Sequence, residues 1–203
     1  MSDILELNGL SEALLHELSY ESKLEKSLKK NLHYFNKESL IDELINMTEW
    51  LDEQIVLSMI PMDYRIKSID SIILKYDRYY PDHQVRKVFN DILGFRGFCD
   101  NYNDVLTLKS DFFRIADMSN GKSNDDGYRG VHVYYQKNNL CYPIEIQFNT
   151  LYDRCFNNWL HNYVYKKQFS LEIGRQLRAK YETGHIKTED NFKEALCNVL
   201  RNS

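Results

Sequence analysis

Apolar residues recur at helical spacing through the first 55 residues of the chain. Ser11 is placed to cap a first helix, whose apolar positions are Leu14, Leu18, Leu24, Leu28 and Leu32. Asn36 is placed to cap a second helix, with one face formed by Leu40, Leu44, Met47 and Leu51. A third helix is predicted after "DYRIK", where Ile69, Ile72, Ile73 and Tyr76 share a face.

The hydrophobic period changes after residue 90. Four β-branched and aromatic segments predict strands over 91–99, 112–118, 128–136 and 142–150. A helix is predicted between the first two, and an amphipathic helix over 151–167 has an apolar stripe of Leu151, Cys155, Trp159 and Tyr163. The tail from Ser170 is helical again, with a break near Gly184.

These elements predict an α+β protein with a mixed central sheet flanked by helices. We expect one domain over 1–203, with N-terminal helices in 1–55, a catalytic core in 56–167 and C-terminal helices in 168–203. Composition agrees, because 43% of the 203 residues are hydrophobic. The spacing of the four cysteines is not that of a metal site, so we expect reduced thiols that are mostly buried. With no signal peptide and no long apolar run, we expect a cytoplasmic protein without membrane contact.

Polar residues in three segments suggest phosphate chemistry. Lys67, Ser71 and Lys75 fall at i, i+4 and i+8, which predicts one cationic face of the third helix, with Arg65 beside it. Taken alone, this pattern is also typical of a solvated lysine face. Asp91 enters an apolar strand, and Glu145 lies between two isoleucines, where a carboxylate is costly unless it is paired or holds a cation.

An aromatic residue begins the strand at 128–136. Alternation predicts that Tyr128, Gly130, His132 and Tyr134 share one face, with Gly130 leaving the Tyr128 ring uncovered. Such a ring can stack on a nucleobase for about 1–3 kcal/mol. The alternative is a hydrophobic strand end with no ligand.

Five motifs in order resemble the synthetase domain of the RelA/SpoT nucleotide pyrophosphokinases, which implies a nucleotidyltransferase-like fold. "RIKSIDSIILK" resembles the family's RxKxxxSIxxK, and "DILGFRG" its D-hydrophobic-x-G-x-R. "GYRGVH" is similar to G-Y-[RQ]-S-x-H, "IEIQFNT" to E-hydrophobic-Q-hydrophobic-R-T, and "LHNYVYK" to H-x(3)-YK. The resemblance runs from about Tyr64 to Lys166.

The resemblance implies an enzyme that transfers the β,γ-pyrophosphate of ATP to a ribose 3′-hydroxyl. ATP would be bound by Arg65, Lys67, Ser71, Lys75 and Arg96, with Lys75 also catalytic. Asp91 would carry Mg²⁺, and Glu145 would complete the metal site or take the proton of the acceptor hydroxyl. The acceptor would be held by Tyr128, His132, Gln147 and Arg154.

Departures from the family pattern bear on the acceptor. Asn149 replaces the usual arginine, Arg154 occupies a position that is Asn in guanine-reading relatives, and Asp125 and Asp126 precede the G-Y step. These changes disfavour free GDP or GTP and favour the branch of toxic small synthetases whose acceptor is the 3′-terminal adenosine of tRNA. That branch implies a translation-inhibiting toxin with a cognate antitoxin.

A tRNA acceptor requires a local basic patch, because the net charge of the chain is -4. The candidate RNA-binding residues are Lys26, Lys29, Lys30 and Arg114. Synthesis of guanosine or adenosine alarmones from free nucleotides is one alternative, and an inactive scaffold that binds RNA or protein is another. The apolar C-terminal tail could pack on its own core, in a homo-oligomer or on an antitoxin.

Overall fold

The computed structural model describes residues 4–201 of the chain. Ten α-helices are described: α1 Ile4–Leu7, α2 Glu12–Glu17, α3 Lys37–Asp52, α4 Ile55–Met59, α5 Ile69–Tyr79, α6 Val85–Val88, α7 Tyr102–Leu106, α8 Leu151–Tyr163, α9 Leu171–Glu182 and α10 Glu189–Arg201. Short 3-10 helices cover Leu32–Tyr34 and Tyr165–Lys167. Within these residues, no helix is both long enough and apolar enough to cross a membrane.

A single five-stranded sheet is formed by β1 Asp63–Ile66, β2 Leu93–Phe98, β3 Phe113–Met118, β4 Gly130–Tyr135 and β5 Ile144–Asn149. Its strand order is β1-β2-β5-β4-β3, so the central strand is β5, the last of the five strands in sequence order. The α+β class with a mixed sheet and flanking helices is confirmed. β1 was not predicted, because its partner is a distant segment: Arg65 faces Gly94, and Asp63 faces Arg96, in antiparallel register.

The described chain divides into two compact units. Among the described residues, the first unit comprises 4–97, 107–115 and 132–147, and the second comprises 98–106, 116–131 and 148–201. The core of the second unit is built from three helices and the segments that join them: Phe156, Leu160, Val164, Ile173, Leu177, Tyr181, Ile186, Phe192, Leu196 and Val199. The prediction of one domain over 1–203 stays a prediction.

Two helix caps are confirmed in the first unit. The Ser11 side chain accepts a hydrogen bond from the amide of Leu14, and the Asn36 side chain accepts one from the amide of Ser39. The long helix predicted after Ser11 is wrong, since α2 ends at Glu17. The segment 18–36 is mostly irregular; it buries Leu18 and Leu28 outside any helix, and Leu32 in the short 3-10 helix.

Backbone and side-chain contacts hold the segment 18–36 in place. The amide of Leu28 donates to the carbonyl of Asn139, and the amide of Arg86 donates to the carbonyl of Leu28. The buried Glu43 of α3 accepts hydrogen bonds of 2.7 Å from the Ser22 hydroxyl, the Lys23 amide and the Tyr142 hydroxyl. These long-range bonds replace the local bonds of a helix.

The buried face of α8 differs from the predicted stripe. Leu151 and Cys155 are exposed, and the buried residues are Asp153, Phe156, Asn157 and Leu160. Two of these buried residues, Asp153 and Asn157, are polar, so the pattern of hydrophobic residues did not predict this face. Cys197 is also exposed, so two of the four cysteines are buried, Cys99 and Cys141, and all four thiols are free.

The C-terminal tail follows the prediction more closely. It forms α9 and α10, and the break near Gly184 is confirmed by its positive φ between them. Its residues Ile173, Leu177, Phe192 and Leu196 are buried in the core of the second unit, whereas Leu200 is 38% exposed.

Candidate active site

Asp91 is held between two lysines in the first unit. Its Oδ2 lies 2.7 Å from Lys67 Nζ, and its Oδ1 lies 2.9 Å from Lys75 Nζ. Lys75 also donates to the carbonyl of Val88 at 3.0 Å. Both carboxylate oxygens therefore carry a charge-assisted bond, and the lysine on α5 is fixed at two points.

Burial separates the two lysines. The side chain of Lys67 is 6% exposed and that of Lys75 is 24% exposed. Burial lowers the pKa of Lys67, and the neighbouring Asp91 carboxylate opposes this effect. Lys67 thus acts mainly as the buried counter-ion of Asp91, whereas Lys75 has surface left for a ligand.

Lys67, Ser71 and Lys75 were predicted to share one helix face, but Lys67 lies outside the helix. Ser68 is the residue before α5, so Lys67 precedes the helix, and its amide donates to the carbonyl of Ile92. Ser71 lies in the first turn with its hydroxyl 2.9 Å from that of Ser68. The spacing predicted a continuous helix, but the chain changes from strand β1 to helix at this point.

Glu145 lies on the central strand β5 and is only 7% exposed, so its side chain is buried. Its Oε1 lies 3.1 Å from His132 Nδ1, and its Oε2 accepts a 2.7 Å hydrogen bond from Gln147. Burial acts to raise the pKa of Glu145, but the hydrogen bonds, led by that of His132, outweigh it and lower the pKa. The carboxylate is therefore ionised at neutral pH.

A small cavity of about 60 Å³ joins these groups in the first unit. Its lining residues come from β1, β2, β5 and the approach to β2: Arg65, Asp91, Gly94, Phe95, Arg96, Glu145 and Gln147. A Cβ built on Gly94 would lie 3.7 Å from Glu145 Oε2, so glycine leaves the space beside the carboxylate open. Two arginines and two carboxylates from separate sequence segments thus share one cavity.

The carboxylates suit a magnesium ion that is shared with phosphates. Mg²⁺ is usually bound by one or two protein carboxylates, with water and phosphate as its other ligands. Asp91 and Glu145 line the same cavity and fit this donor set. Within residues 4–201, no group of three or more His, Cys, Asp or Glu side chains is placed to hold a metal.

A larger cavity of about 380 Å³ in the first unit is strongly basic. Five of its lining residues are cationic: Lys29, Arg86, Lys87, Arg114 and Lys137. Among the residues predicted to bind RNA, it therefore brings Lys29 and Arg114 together. Lys26 lies elsewhere, with its Nζ on the carbonyl of Tyr34, and Lys30 lies over the Tyr34 ring. The other three cations were missed, because the backbone bonds that assemble this cavity connect distant segments.

Tyr134 connects the basic cavity with Glu145. Its ring lines the cavity, and the guanidinium of Arg114 stacks over it at 4.1 Å. Its hydroxyl lies 3.4 Å from His132 Nδ1, and burial, followed by the charge of Glu145, raises its pKa. Tyr134 was not predicted as a site residue. Its only signal in the sequence was the strand alternation that places it on the same face as His132.

Tyr128 and Arg154 lie in the second unit. Tyr128 precedes β4 and is half-buried, with Lys122 Nζ 5.0 Å above its ring and Asn149 Nδ2 3.5 Å from its hydroxyl. A Cβ on Gly130 would lie 2.6 Å from Asn149 Nδ2 and 2.7 Å from that hydroxyl, so the Tyr128 side chain packs over the glycine. Arg154 stacks over Phe98 at 4.9 Å.

No protein-family model matches the sequence, and no curated protein matches it significantly. Among solved structures, the chain is similar to small alarmone synthetase 1 from Bacillus subtilis bound to its product pppGpp. The identity is 19% over 80% of this chain and 88% of that one, with a TM-score of 0.44. It is similar to small alarmone synthetase 2 from Bacillus subtilis at 20% identity, over 82% and 98% of the two chains, with a TM-score of 0.44.

A third similar structure is a GTP pyrophosphokinase family protein from Streptococcus pneumoniae. The identity is 22%, the match covers 82% of this chain and 96% of that one, and the TM-score is 0.42.

Proposed function

We propose that this chain is an ATP-dependent pyrophosphokinase that transfers the β,γ-pyrophosphate of ATP to a ribose 3′-hydroxyl. The observation that carries this proposal is the small cavity where Arg65 and Arg96 meet the carboxylates of Asp91 and Glu145. Cations beside carboxylates suit a reaction whose substrates are polyanionic and whose nucleophile must lose a proton. The motifs that resemble the RelA/SpoT synthetases contain these same residues.

The transfer is a displacement at the β-phosphorus. The 3′-oxygen of the acceptor forms a bond to that phosphorus, the bond to the oxygen bridging the α- and β-phosphates breaks, and AMP leaves. Glu145 accepts the hydroxyl proton, because its lowered pKa keeps it ionised and His132 fixes one of its oxygens. Mg²⁺ held by Asp91, Glu145 and the phosphates would neutralise charge on the phosphate oxygens.

The cations have distinct roles in binding ATP. Lys75 contacts the phosphates, since its side chain is the more exposed of the two that pair with Asp91. Lys67 holds the Asp91 carboxylate in place. Arg65 and Arg96 project from paired strands into the same cavity, where they bind the adenine or the phosphate chain. Ser71 adds a hydroxyl at the start of α5.

The acceptor is the 3′-terminal adenosine of tRNA. The supporting observation is that the basic cavity adjoins the Glu145 cluster through Tyr134. A free nucleotide brings few phosphates, whereas an RNA 3′ end brings a chain of them, which the five cations of this cavity suit. Tyr128 supplies the ring that stacks on the acceptor base, and Gln147 and Arg154 are assigned to the acceptor by the same resemblance.

Modification of the tRNA 3′ end makes the protein a translation-inhibiting toxin. In translation an amino acid is esterified to the terminal ribose, so pyrophosphate on the 3′-oxygen prevents the tRNA from being charged. A cell that carries such an enzyme needs a neutralising antitoxin as its partner. Expression of the chain without that partner should arrest protein synthesis, and expression of Glu145→Gln should not.

The acceptor can be tested with γ-³²P-labelled ATP and three sets of acceptors. These are intact tRNA, tRNA whose terminal ribose has been oxidised by periodate, and a mixture of free GDP, GTP and adenosine nucleotides. We expect label on intact tRNA alone. Label on the free nucleotides alone would show an alarmone synthetase, and no transfer to any acceptor would contradict the pyrophosphokinase assignment.

A further inference from the structure

We propose that helix α9 positions the loop that carries Tyr128, and thereby sets the affinity for the acceptor. This inference rests on the proposed function for the role of Tyr128. Its structural basis lies wholly within the second unit, where Gly174 of α9 lies against the backbone of residues 126–127.

Glycine is required on both sides of this contact. A Cβ built on Gly174 would come within 3.0 Å of the backbone of Asp126, and one built on Gly127 within 3.0 Å of the backbone of Gly174. Gly127 also has a φ of +87°, which disfavours any side chain. The loop and the helix therefore touch through their backbones, and a single methyl group on the helix would displace the loop.

A chain of ion pairs makes a second connection to the same helix. The Arg129 guanidinium donates to both carboxylate oxygens of Asp125, at 2.7 and 3.1 Å. Arg129 Nε lies 3.8 Å from Glu182 at the end of α9, and Glu182 accepts a 2.7 Å bond from Arg178. Hydrogen bonding to Arg129 lowers the pKa of Asp125, although burial opposes this effect.

The backbone around Tyr128 is fixed by further side chains of the second unit. The Tyr165 hydroxyl donates to the carbonyl of Asp126 at 3.1 Å. Asn157 accepts from the amide of Arg129 and donates to its carbonyl at 2.7 Å. Because both neighbours of Tyr128 are held, these contacts fix the backbone from which its ring projects. Gly174 and Glu182 are therefore positioning residues.

The test compares Gly174→Ala with Lys180→Ala, an exposed position on the same helix. Gly174→Ala should raise the KM for the acceptor about tenfold or more, since a displaced Tyr128 ring loses its stacking on the acceptor base. The KM for ATP should stay within twofold, and Lys180→Ala should match wild type in both. Equal effects of Gly174→Ala on both KM values, or none on either, would overturn the positioning role.

A second measurement needs no activity. Amide hydrogen exchange of residues 127–129 should be at least tenfold faster in Gly174→Ala than in wild type and unchanged in Lys180→Ala. If Gly174→Ala does not fold, Glu182→Leu replaces it, with Glu182→Gln as the variant expected to retain most of the protection. Unchanged exchange in the folded variants would overturn the inference. If wild type transfers no pyrophosphate while exchange follows the prediction, the proposed function fails and the positioning of the loop stands.

Discussion

At the scale of single residues, the site is defined by two carboxylates with different surroundings. Asp91 is compensated by full charges, Lys67 and Lys75, so its removal leaves a buried lysine without a partner. Glu145 is held by His132 and Gln147, which carry less charge and leave it able to accept a proton. This difference assigns the metal and phosphate organisation mainly to Asp91 and the base to Glu145.

Removal of the Glu145 charge tests its role as base. Glu145→Gln keeps the size of the side chain, so we expect the transfer rate to fall by about 10²–10⁴ while ATP binding is retained. Glu194→Gln, at an exposed position on α10, is the matched control and should keep full activity. Single-turnover rates and ATP titrations measure the two effects. A near-normal transfer rate in Glu145→Gln would show that Glu145 is not the general base.

The lowered pKa of Glu145 predicts how stability depends on pH. A carboxyl whose pKa is lower in the folded state stabilises the protein above its unfolded pKa, with a reference value of 4.5. This contribution is lost as the pH falls through the folded pKa. Urea unfolding from pH 7 to pH 3 should show the stability difference between wild type and Glu145→Gln constant above about pH 5 and smaller below 4.5. A difference that grows towards low pH would mean a raised pKa.

At the scale of elements, the irregular segment 18–36 holds one side of the basic cavity. Leu28 connects to Asn139 and Arg86 through backbone hydrogen bonds, and Lys29 beside it lines the cavity. Glu43 of α3 fastens the beginning of the same segment. The position of Lys29 is therefore set by tertiary contacts and not by a helix.

Loss of the Glu43 carboxylate should release this segment. Glu43→Ala leaves the Ser22 hydroxyl, the Lys23 amide and the Tyr142 hydroxyl without their acceptor, so we expect a loss of about 3 kcal/mol in unfolding free energy. Glu49→Ala, at an exposed position on the same helix, should change it by less than about 0.5 kcal/mol. Equal stabilities of the two variants in urea would show that Glu43 is not a structural anchor.

The structure divides the four candidate RNA-binding cations into two pairs, one inside the basic cavity and one outside it, which makes a matched comparison possible. Lys29→Ala with Arg114→Ala removes two cations from the basic cavity and should lower the salt dependence of tRNA binding by about two units of slope. Lys26→Ala with Lys30→Ala removes the same charge outside that cavity and should lower it less. Binding isotherms between low and physiological salt measure both. Identical slopes for the two pairs would contradict a specific role of the cavity.

At the scale of the whole molecule, the parts that the sequence could predict are those with local causes. The caps at Ser11 and Asn36, helix α5 and four strands depend on neighbours in the chain. Strand β1 pairs with residues 93–96, and the segment 18–36 is bound to residues near 85 and 140, so neither has a local signature. The buried face of α8 includes Asp153 and Asn157, whose partners lie far along the chain.

The same distinction holds for the candidate site. Glu145 was identifiable, because an acidic residue in an apolar strand is costly without a compensating partner. Asp91 was identified by the same argument, although the strand predicted from residue 91 begins only at Leu93. The pairing of Asp91 with two lysines, the contact of His132 with Glu145 and the cations Arg86, Lys87 and Lys137 depend on which strands become neighbours. A single sequence does not show which strands become neighbours.

The central claim, transfer of pyrophosphate by the Asp91–Glu145 cavity, is tested most directly by the fate of each phosphate of ATP. Parallel reactions with γ-³²P-labelled and α-³²P-labelled ATP, with tRNA as acceptor, are followed by separation of the RNA from the nucleotides. We predict that the γ label moves to the RNA and that the α label appears as AMP in equal amount, with both signals lost in Glu145→Gln. Appearance of the α label in the RNA, or of ADP in place of AMP, would contradict the account.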